Sequence, residues 1–509
     1  MFHCVYGADV SGVEARVIRV EADVADGLPV FEMVGHLASA VKEARDRVRI
    51  ALRNMDVRLP AKRITINLSP ANIRKEGTSF DLPIAVSLLQ LLGFLSRELT
   101  ENCMFIGELG LDGAVREVNG VLAMILAGRA RGIRQFYVPA GKALEGAFLD
   151  DVEVYGVQSL SETMRLLRGE ARQEPKRLSY KSFVKSREET YDFRDIKGQG
   201  AGKRAAEIAV SGRHNLLLIG PAGSGKTMLA RRMPSIMPSL DLAESLELTK
   251  LYSVCGMLTE QNPILTKRPF RAPHHTVTPA ALTGGGRVPM PGEISLASGG
   301  ILFLDELPEF ARPALETLRQ PLEERRVMVA RLGRSYEYPA DCVFVAAMNP
   351  CRCGYYPDRG RCRCTEGEIR HYLSKISEPL LDRLDICAEM GMPEFHLYDK
   401  GGETSDEIRK RVARTISIQK ERYRDEPYSY NSELTGRGIE KYCPLGKRER
   451  EYLEAFFLEG DCSMRRLNRI IRVARTVADM EGSADIQERH ITEAVRFRSI
   501  DRKYWGGCE

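Results

Sequence analysis

No apolar run in the 509-residue sequence approaches the ~20 residues that a membrane-spanning helix needs, which argues against such a span. The N-terminus Met1-Phe-His-Cys-Val-Tyr-Gly-Ala-Asp-Val10 lacks the charged start and uninterrupted apolar core of a signal peptide, so the expected location is cytoplasmic. No short-period repeat or low-complexity tract is present. An excess of one charge is also missing. Lys and Arg total 75 against 70 Asp and Glu, a net charge of +5, so global charge neither demands nor excludes nucleic acid and any polyanion site must be local. Twelve cysteines in a cytoplasmic chain favour thiols or metal ligands over disulfides. Eight are scattered and four lie close together.

The length suggests about three domains. Residues 1–170 alternate strand-like runs (Ile64–Leu68, Phe136–Pro139) with helix-like ones (Ala40–Arg53, Leu82–Leu92), as in a mixed α/β domain. Residues 171–190 fall in a charged stretch poor in large apolar residues, with Pro175, and read as a mobile linker. Residues 191–393 alternate strands and helices in α/β fashion. Residues 394–509 are helical, with amphipathic stretches at Ser405–Tyr423, Lys447–Leu458, Ser463–Met480 and Gln487–Phe497.

The richest chemistry lies in the third of these segments. His214-Asn-Leu-Leu-Leu-Ile is an apolar strand emptying into Gly220-Pro221-Ala222-Gly223-Ser224-Gly225-Lys226-Thr227, followed by the helix-forming Met228–Arg232. In this strand–loop–helix context the loop reads as a phosphate-binding P-loop for a nucleoside triphosphate, ATP once the order of motifs below is taken with it, rather than a glycine-rich turn. Its backbone N–H groups cradle phosphate oxygens, Lys226 brings charge to the β/γ-phosphates, and Thr227 offers a hydroxyl to Mg²⁺. Ile301–Leu304 ends in Asp305-Glu306: Asp305 is placed to hold Mg²⁺ and Glu306 to polarise the attacking water, the alternative being an exposed acidic strand end. A further strand, Val343–Met348, ends in Asn349, an amide suited to the γ-phosphate or the water. Strand, acid pair, strand, amide is the order of an AAA+ ATPase.

Cys351-Arg-Cys353 and Cys362-Arg-Cys364 form paired Cys-x-Cys elements within this domain, with eight residues between them. Four thiolates from a loop without a core of its own suit a closed, structural tetrahedral Zn²⁺ site, although the one-residue gap is tighter than the usual knuckle, and disulfides or inert thiols remain the alternatives. Arg352, Tyr355, Tyr356, Arg359, Arg361 and Arg363 give the insertion a basic, aromatic surface suited to DNA.

Asp192-Phe-Arg-Asp-Ile-Lys-Gly-Gln199 resembles the segment that precedes an AAA+ P-loop. Arg268-Pro-Phe-Arg-Ala-Pro-His-His-Thr276, Pro291–Glu306 and Ser377-Glu-Pro-Leu-Leu-Asp-Arg-Leu-Asp385 resemble the magnesium-chelatase-like AAA+ proteins of the bacterial YifB/ComM family, over nearly the whole chain. The resemblance implies a homo-oligomeric, hexameric ATPase ring with sites completed between subunits and residues 394–509 as a helical lid. It assigns Arg383 to the arginine finger acting in trans, the alternative being a local salt bridge to Asp382 or Asp385. It matches Arg465 to a second sensor arginine, with Arg466 as the competing choice; Arg465, Arg469, Arg472 and Arg475 also recur at helical spacing, as in a solvated face. It places a glycine-rich insertion at Thr283–Gly292 and a hairpin at Val327–Tyr338, facing a central pore where Arg287, Arg331 and Arg334 would grip a DNA backbone, although any surface hairpin can carry arginines.

Residues 1–170 are similar to the ribosomal-protein-like α/β domain of Lon-type proteases, with Lys75-Glu-Gly-Thr-Ser79 where that family has its nucleophile. The same alignment, through Gly107–Gly113 and Val115–Leu122, puts Leu122 at the position of the protease lysine. Leucine is no base, so the domain is expected to be an accessory inactive as a peptidase, with Ser79 a turn residue. The function implied is ATP-driven branch migration or helicase action on recombination intermediates, including in natural transformation, with recombination proteins as further partners. The alternative is a chelatase-type ATPase that remodels a protein and has no DNA substrate.

Overall fold

The computed structural model describes residues 3–185, 191–286, 289–331, 334–392, 402–458 and 463–505. The chain divides into two compact units, residues 1–187 with 241–266, and residues 188–240 with 267–509.

The first unit is built on a seven-stranded mixed sheet in the order Val30–Val34, Arg63–Ser69, Glu14–Ala25, His3–Ser11, Cys103–Phe105, Gln135–Pro139, Glu153–Val157. Its first hairpin pairs His3 with Ala22 through Ser11 with Glu14, and the last three strands add in parallel. Strand residues alternate between faces, so adjacent Val17 and Ile18 enter different cores. One core is covered by the helices Ser39–Asn54, Asp81–Leu91 and Leu160–Leu167, the other by Val121–Ala130 and by Leu246 of the helix Leu242–Val254.

That last helix corrects the domain boundaries. Residues 241–266 were expected inside the ATPase domain, yet they belong to the first unit, held by Lys250 Nζ to Glu14 (2.7 Å) and by Ser253 Oγ to Glu145. The linker reading of 171–190 is also corrected over its described part. Lys176 and Leu178 donate backbone bonds to Val154 O and Ala147 O, Tyr180–Lys185 is helical, and Tyr180 and Phe183 pack edge-on to Phe148. The few apolar residues in a charged stretch were enough to dock it.

The second unit carries a five-stranded, wholly parallel sheet in the order Phe270–Arg271, Ile301–Leu304, Val343–Met348, Leu216–Ile219, Ile386–Glu389. Parallel pairing puts every strand's C-terminal end on one edge, where α/β proteins bind ligands. The helices Ser405–Arg422, Lys447–Leu458 and Met464–Met480 agree with the expected amphipathic stretches to within a residue at each end, whereas Glu488–Trp505 runs eight residues beyond the expected end at Phe497. Ile408, Val412, Ile470 and Val473 share one core with Ala205, Leu229 and Val345, so residues after 402 form no separate compact unit. The motifs that carry the resemblance brace this unit. Arg271 makes a bidentate pair with Glu293 (2.6 and 2.7 Å), and a Cβ on Gly300 would lie 1.9 Å from Pro269 O.

Candidate functional site

Leu216–Ile219 is buried at every residue and delivers the P-loop to the C-terminal edge of the sheet. Gly220 is sterically obligatory, since a Cβ there would lie 2.2 Å from Met390 O. Gly223 and Gly225 have φ of +80° and +89°, the left-handed region that glycine enters at no steric cost. Gly225 opens the helix Lys226–Ile236, and Ala222 and Gly223 are exposed, so the loop's N–H groups and the positive helix end face an accessible site.

The sequence-predicted residues converge there. Lys226 Nζ donates to Gly220 O and Pro221 O (2.8 Å each), to Ser224 Oγ (3.3 Å) and to Asn349 Oδ1 (3.2 Å). Burial holds its pKa below the ordinary lysine value, with Asp305 opposing. Thr227 Oγ1 donates to Asp305 Oδ2 at 2.6 Å, which puts the hydroxyl and carboxylate suited to Mg²⁺ in contact. Glu306 follows in the left-handed region (φ +53°), its N–H bonded to Asp305 Oδ1 and the residue exposed. This backbone conformation costs a non-glycine residue about 1 kcal/mol or more and turns the chain away from the strand line directly after Asp305. Gln199 is a residue for which sequence reasoning assigned no role. Its Nε2 donates to Ser224 O (2.9 Å) and Gly391 O (2.7 Å), fastening the P-loop to the end of the neighbouring strand. Its place at the end of the Asp192–Gln199 motif was the available signal.

Arg383 lies elsewhere. Asn215, just before the P-loop strand, holds Arg383 O and Asp385 Oδ2, and Ile386 pairs with Leu216 in register. Arg383 is therefore at the N-terminal edge of the sheet, about 10 Å of strand away from the P-loop edge. Its guanidinium contacts Glu323 and Pro379 O, and its buried Nε has no hydrogen-bond partner among the described residues. The local pair with Asp382 or Asp385 does not form. Those acids meet Arg469 and Arg472 instead, at 3.5 to 3.8 Å.

The arginine face of Met464–Met480 is likewise corrected. Arg465 is exposed and Arg466 half-buried in the first turn, but Arg469 and Arg475 are buried and Arg472 nearly so, rather than solvated. Arg475 pairs with Asp479 and donates to Ser483 O and Ala484 O, while burial pulls Arg469 down to about 10. Fully buried His214 sits in the same network, Nε2 on Thr476 Oγ1 (2.7 Å) and Nδ1 3.6 Å from Asp385.

The ligand atoms of Cys351, Cys353, Cys362 and Cys364 all lie within 4.8 Å of one another. Three of the Sγ–Sγ separations are 3.4, 3.8 and 3.6 Å. A tetrahedral Zn²⁺ with bonds of about 2.3 Å has edges of about 3.8 Å, so the donor set fits that ion. The thiol pKa of Cys353 is lowered to about 6, burial being outweighed by N–H bonds from Tyr355 and Arg363, while that of Cys362 is pushed up to about 12, first by desolvation and then by the hydrogen bonds it shares with Cys353 and Cys351. Arg359 and Arg361 lie over the rings of Tyr356 and Tyr355, covering aromatic faces otherwise open to a base.

The expected hairpin is present as Arg326–Arg331 and Arg334–Pro339, with Val327, Val329 and Tyr338 buried and Arg331 paired with Arg334 at its tip. The glycine insertion forms a short antiparallel pair, Gly284–Gly285 with Met290–Pro291, tied to the hairpin by Tyr338 Oη to Pro289 O (2.8 Å). Arg287 lies outside the described residues.

In the first unit Ser79 is buried, with its hydroxyl donating to Ala8 O (3.0 Å), and Leu122 is a core residue of Val121–Ala130. Lys75, fully buried, donates to Pro70 O.

Family models described as magnesium chelatase, subunit ChlI, match residues 20–142 and 192–396, and one for the C-terminal part of that subunit matches 402–498. The chain is 39% identical to competence protein ComM of Haemophilus influenzae over 98% of its own length and 97% of ComM, and 41% identical to YifB of Salmonella typhimurium over 96% of each. It is 37% identical to Rv2897c of Mycobacterium tuberculosis over 97% of its own length and 98% of the relative. No helix of the described residues is long and apolar enough to cross a membrane. With its P-loop, acid pair and matches over nearly the full length, the chain belongs to the magnesium-chelatase-like AAA+ family of YifB and ComM.

Proposed function

We propose that this protein is an ATP-hydrolysing ring motor that acts on DNA, moving branch points in recombination intermediates. The observation that carries the ATPase part is the contact of Thr227 with Asp305 beside Lys226 and Asn349, with Glu306 next in the chain. In this reading Thr227 and Asp305 would hold the Mg²⁺ of Mg-ATP, which would supply neutralisation of phosphate charge. Lys226 exchanges its carbonyl partners for the β/γ-phosphates, Asn349 orients the γ-phosphate, and Glu306 takes a proton from the attacking water.

Arg383 supports the ring. Arg383 is read as completing a neighbour's nucleotide site because it lies at the far edge of its own sheet, about 10 Å of strand from its own P-loop, with its guanidinium held by Glu323 and Pro379 O. The hexamer, the lid role of the C-terminal helices and the sensor role of Arg465 belong to the same reading. So does a role in natural transformation, which rests on the resemblance to the competence relative. The N-terminal unit is proposed as a Lon-like accessory without peptidase activity, because Ser79 is committed to Ala8 O and Leu122 supplies no base.

DNA contact rests on the hairpin tip, with Arg331 opposite Arg334, and on Arg287 in the adjoining insertion. The test is ATPase titration with forked, duplex and single-stranded DNA at two salt concentrations. Stimulation should fade with salt, because releasing counterions from the bound phosphates gains less entropy in more concentrated salt, and Arg331→Ala with Arg334→Ala should remove it while sparing the basal rate. No stimulation by any DNA, with stimulation by a protein partner, would replace this reading with protein remodelling.

A further inference from the structure

From the sequence the four cysteines suit a structural Zn²⁺ site in a loop without a core of its own, with a basic, aromatic surface suited to DNA. In the structure that loop forms one wall of the P-loop. Asn349, whose Oδ1 accepts from Lys226 Nζ at 3.2 Å, is two residues before Cys351, and Cys351 is fully buried. Gly354, between the two Cys-x-Cys pairs, lies against the loop itself: a Cβ there would be 3.7 Å from Ala222 N and from Pro221 Cα. Its φ of +84° further favours glycine at this approach. On the other side Tyr356, whose N–H points to Cys351 Sγ (3.5 Å), packs its ring 5.9 Å from that of Tyr504. Tyr504 bonds Glu389, which pairs in register with Ile219, the last residue before Gly220. The thiol cluster is thus joined to the phosphate site at three points: the Asn349 amide, the Pro221–Ala222 backbone and the end of the P-loop strand.

From this junction we propose that the Cys351/Cys353/Cys362/Cys364 site is a metal-dependent wall of the nucleotide site, so that binding of a divalent metal there and binding of nucleotide are thermodynamically coupled. Closing a short loop on four thiolates removes the freedom of residues 351–364, and with it that of Asn349 and of the surface Gly354 presents to Ala222. The proposal rests on the P-loop reading above and adds to it: the cysteines are positioning residues for phosphate, acting through Asn349 and Gly354. Coupling is reciprocal, so metal must tighten nucleotide binding by the same factor by which nucleotide tightens metal. A factor of about 10 lies within the usual range.

The full chain is prepared in reduced form with Zn²⁺, with Co²⁺ in its place, and without metal, its folding checked by circular dichroism. The expected results are about one metal per chain, a dissociation constant for a non-hydrolysable ATP analogue about 10-fold weaker without metal, and Co²⁺–thiolate absorption bands that shift when the analogue is added. A purely structural zinc knuckle away from the nucleotide would leave those bands unmoved. The Co²⁺ spectrum reads the junction in folded, loaded protein, so it decides the matter even if the metal-free chain fails to fold. Chain that takes up no metal overturns the proposal, as does nucleotide affinity equal with and without metal together with silent Co²⁺ bands. Metal-loaded protein that binds no nucleotide would instead remove the P-loop reading on which the proposal stands, and the proposal with it.

Discussion

Lys226 and Lys75 are both buried lysines, each lowered from the ordinary value by burial and each with an aspartate opposing the shift, Asp305 in one case and Asp9 in the other. Only the first sits in a site built for chemistry. Around Lys226 the loop is open at Ala222 and Gly223, the helix Lys226–Ile236 presents its N-terminus, and Asn349, Thr227 and Asp305 converge. Around Lys75 the corresponding groups bond to the chain itself: its amine to Pro70 O, the Ser79 hydroxyl to Ala8 O, and Asp9 Oδ1 to the Glu76 N–H. A desolvated lysine is therefore no evidence of function by itself. What distinguishes the two is whether neighbouring donors point at space a substrate can enter.

The comparison breaks most sharply at the P-loop. Lys226→Ala should abolish nucleotide binding, whereas Glu306→Gln should retain it and slow hydrolysis by about 100-fold or more, since only water activation is lost. Binding by fluorescent nucleotide and turnover by phosphate release separate the two effects, and equal turnover in wild type and Glu306→Gln would take Glu306 out of catalysis.

The next effect is between subunits. Arg383→Ala should lose turnover by about 1,000-fold on its own and recover part of it when mixed with Lys226→Ala, whose intact Arg383 completes the neighbour's site. Co-assembly without recovery at any mixing ratio would return Arg383 to a role within its own chain.

The smallest effect belongs to the first unit. Ser79→Ala should change stability by about 1 kcal/mol, the worth of one buried hydrogen bond, and leave ATP turnover unchanged. Peptide cleavage by wild-type protein that disappears in Ser79→Ala would show that Ser79 is a working nucleophile.

Most of the nucleotide site was legible in the sequence because its signals are local. Strand, glycine loop and helix fall within about twenty residues, and Asp305, Glu306 and Asn349 each end an apolar run. The bounds of three of the four expected helices after residue 402 were legible for the same reason, with Thr404 and Ser463 as side-chain caps for two of them, whereas the continuation of Glu488–Trp505 past Phe497 was not. What stayed hidden depends on partners far along the chain. Nothing in the pattern of Leu242–Val254 reveals that Lys250 meets Glu14 or that Ser253 meets Glu145. Arg469 and Arg472 read as a solvated face because their counter-charge, Asp385, is more than eighty residues away, whereas the Arg475–Asp479 pair at i, i+4 was there to be seen. The left-handed turn at Glu306 left no sequence trace, since no glycine marks it.

The central claim is that hydrolysis at the Lys226–Asp305–Glu306 site drives DNA strands past one another, and a synthetic four-way junction with labelled arms tests it most directly. Wild-type protein with ATP and Mg²⁺ should convert the junction to its two duplex products, and Glu306→Gln should bind the junction without converting it. Wild-type protein that turns over ATP yet leaves the junction intact under conditions where it binds DNA, or conversion by Glu306→Gln at the wild-type rate, would contradict the account.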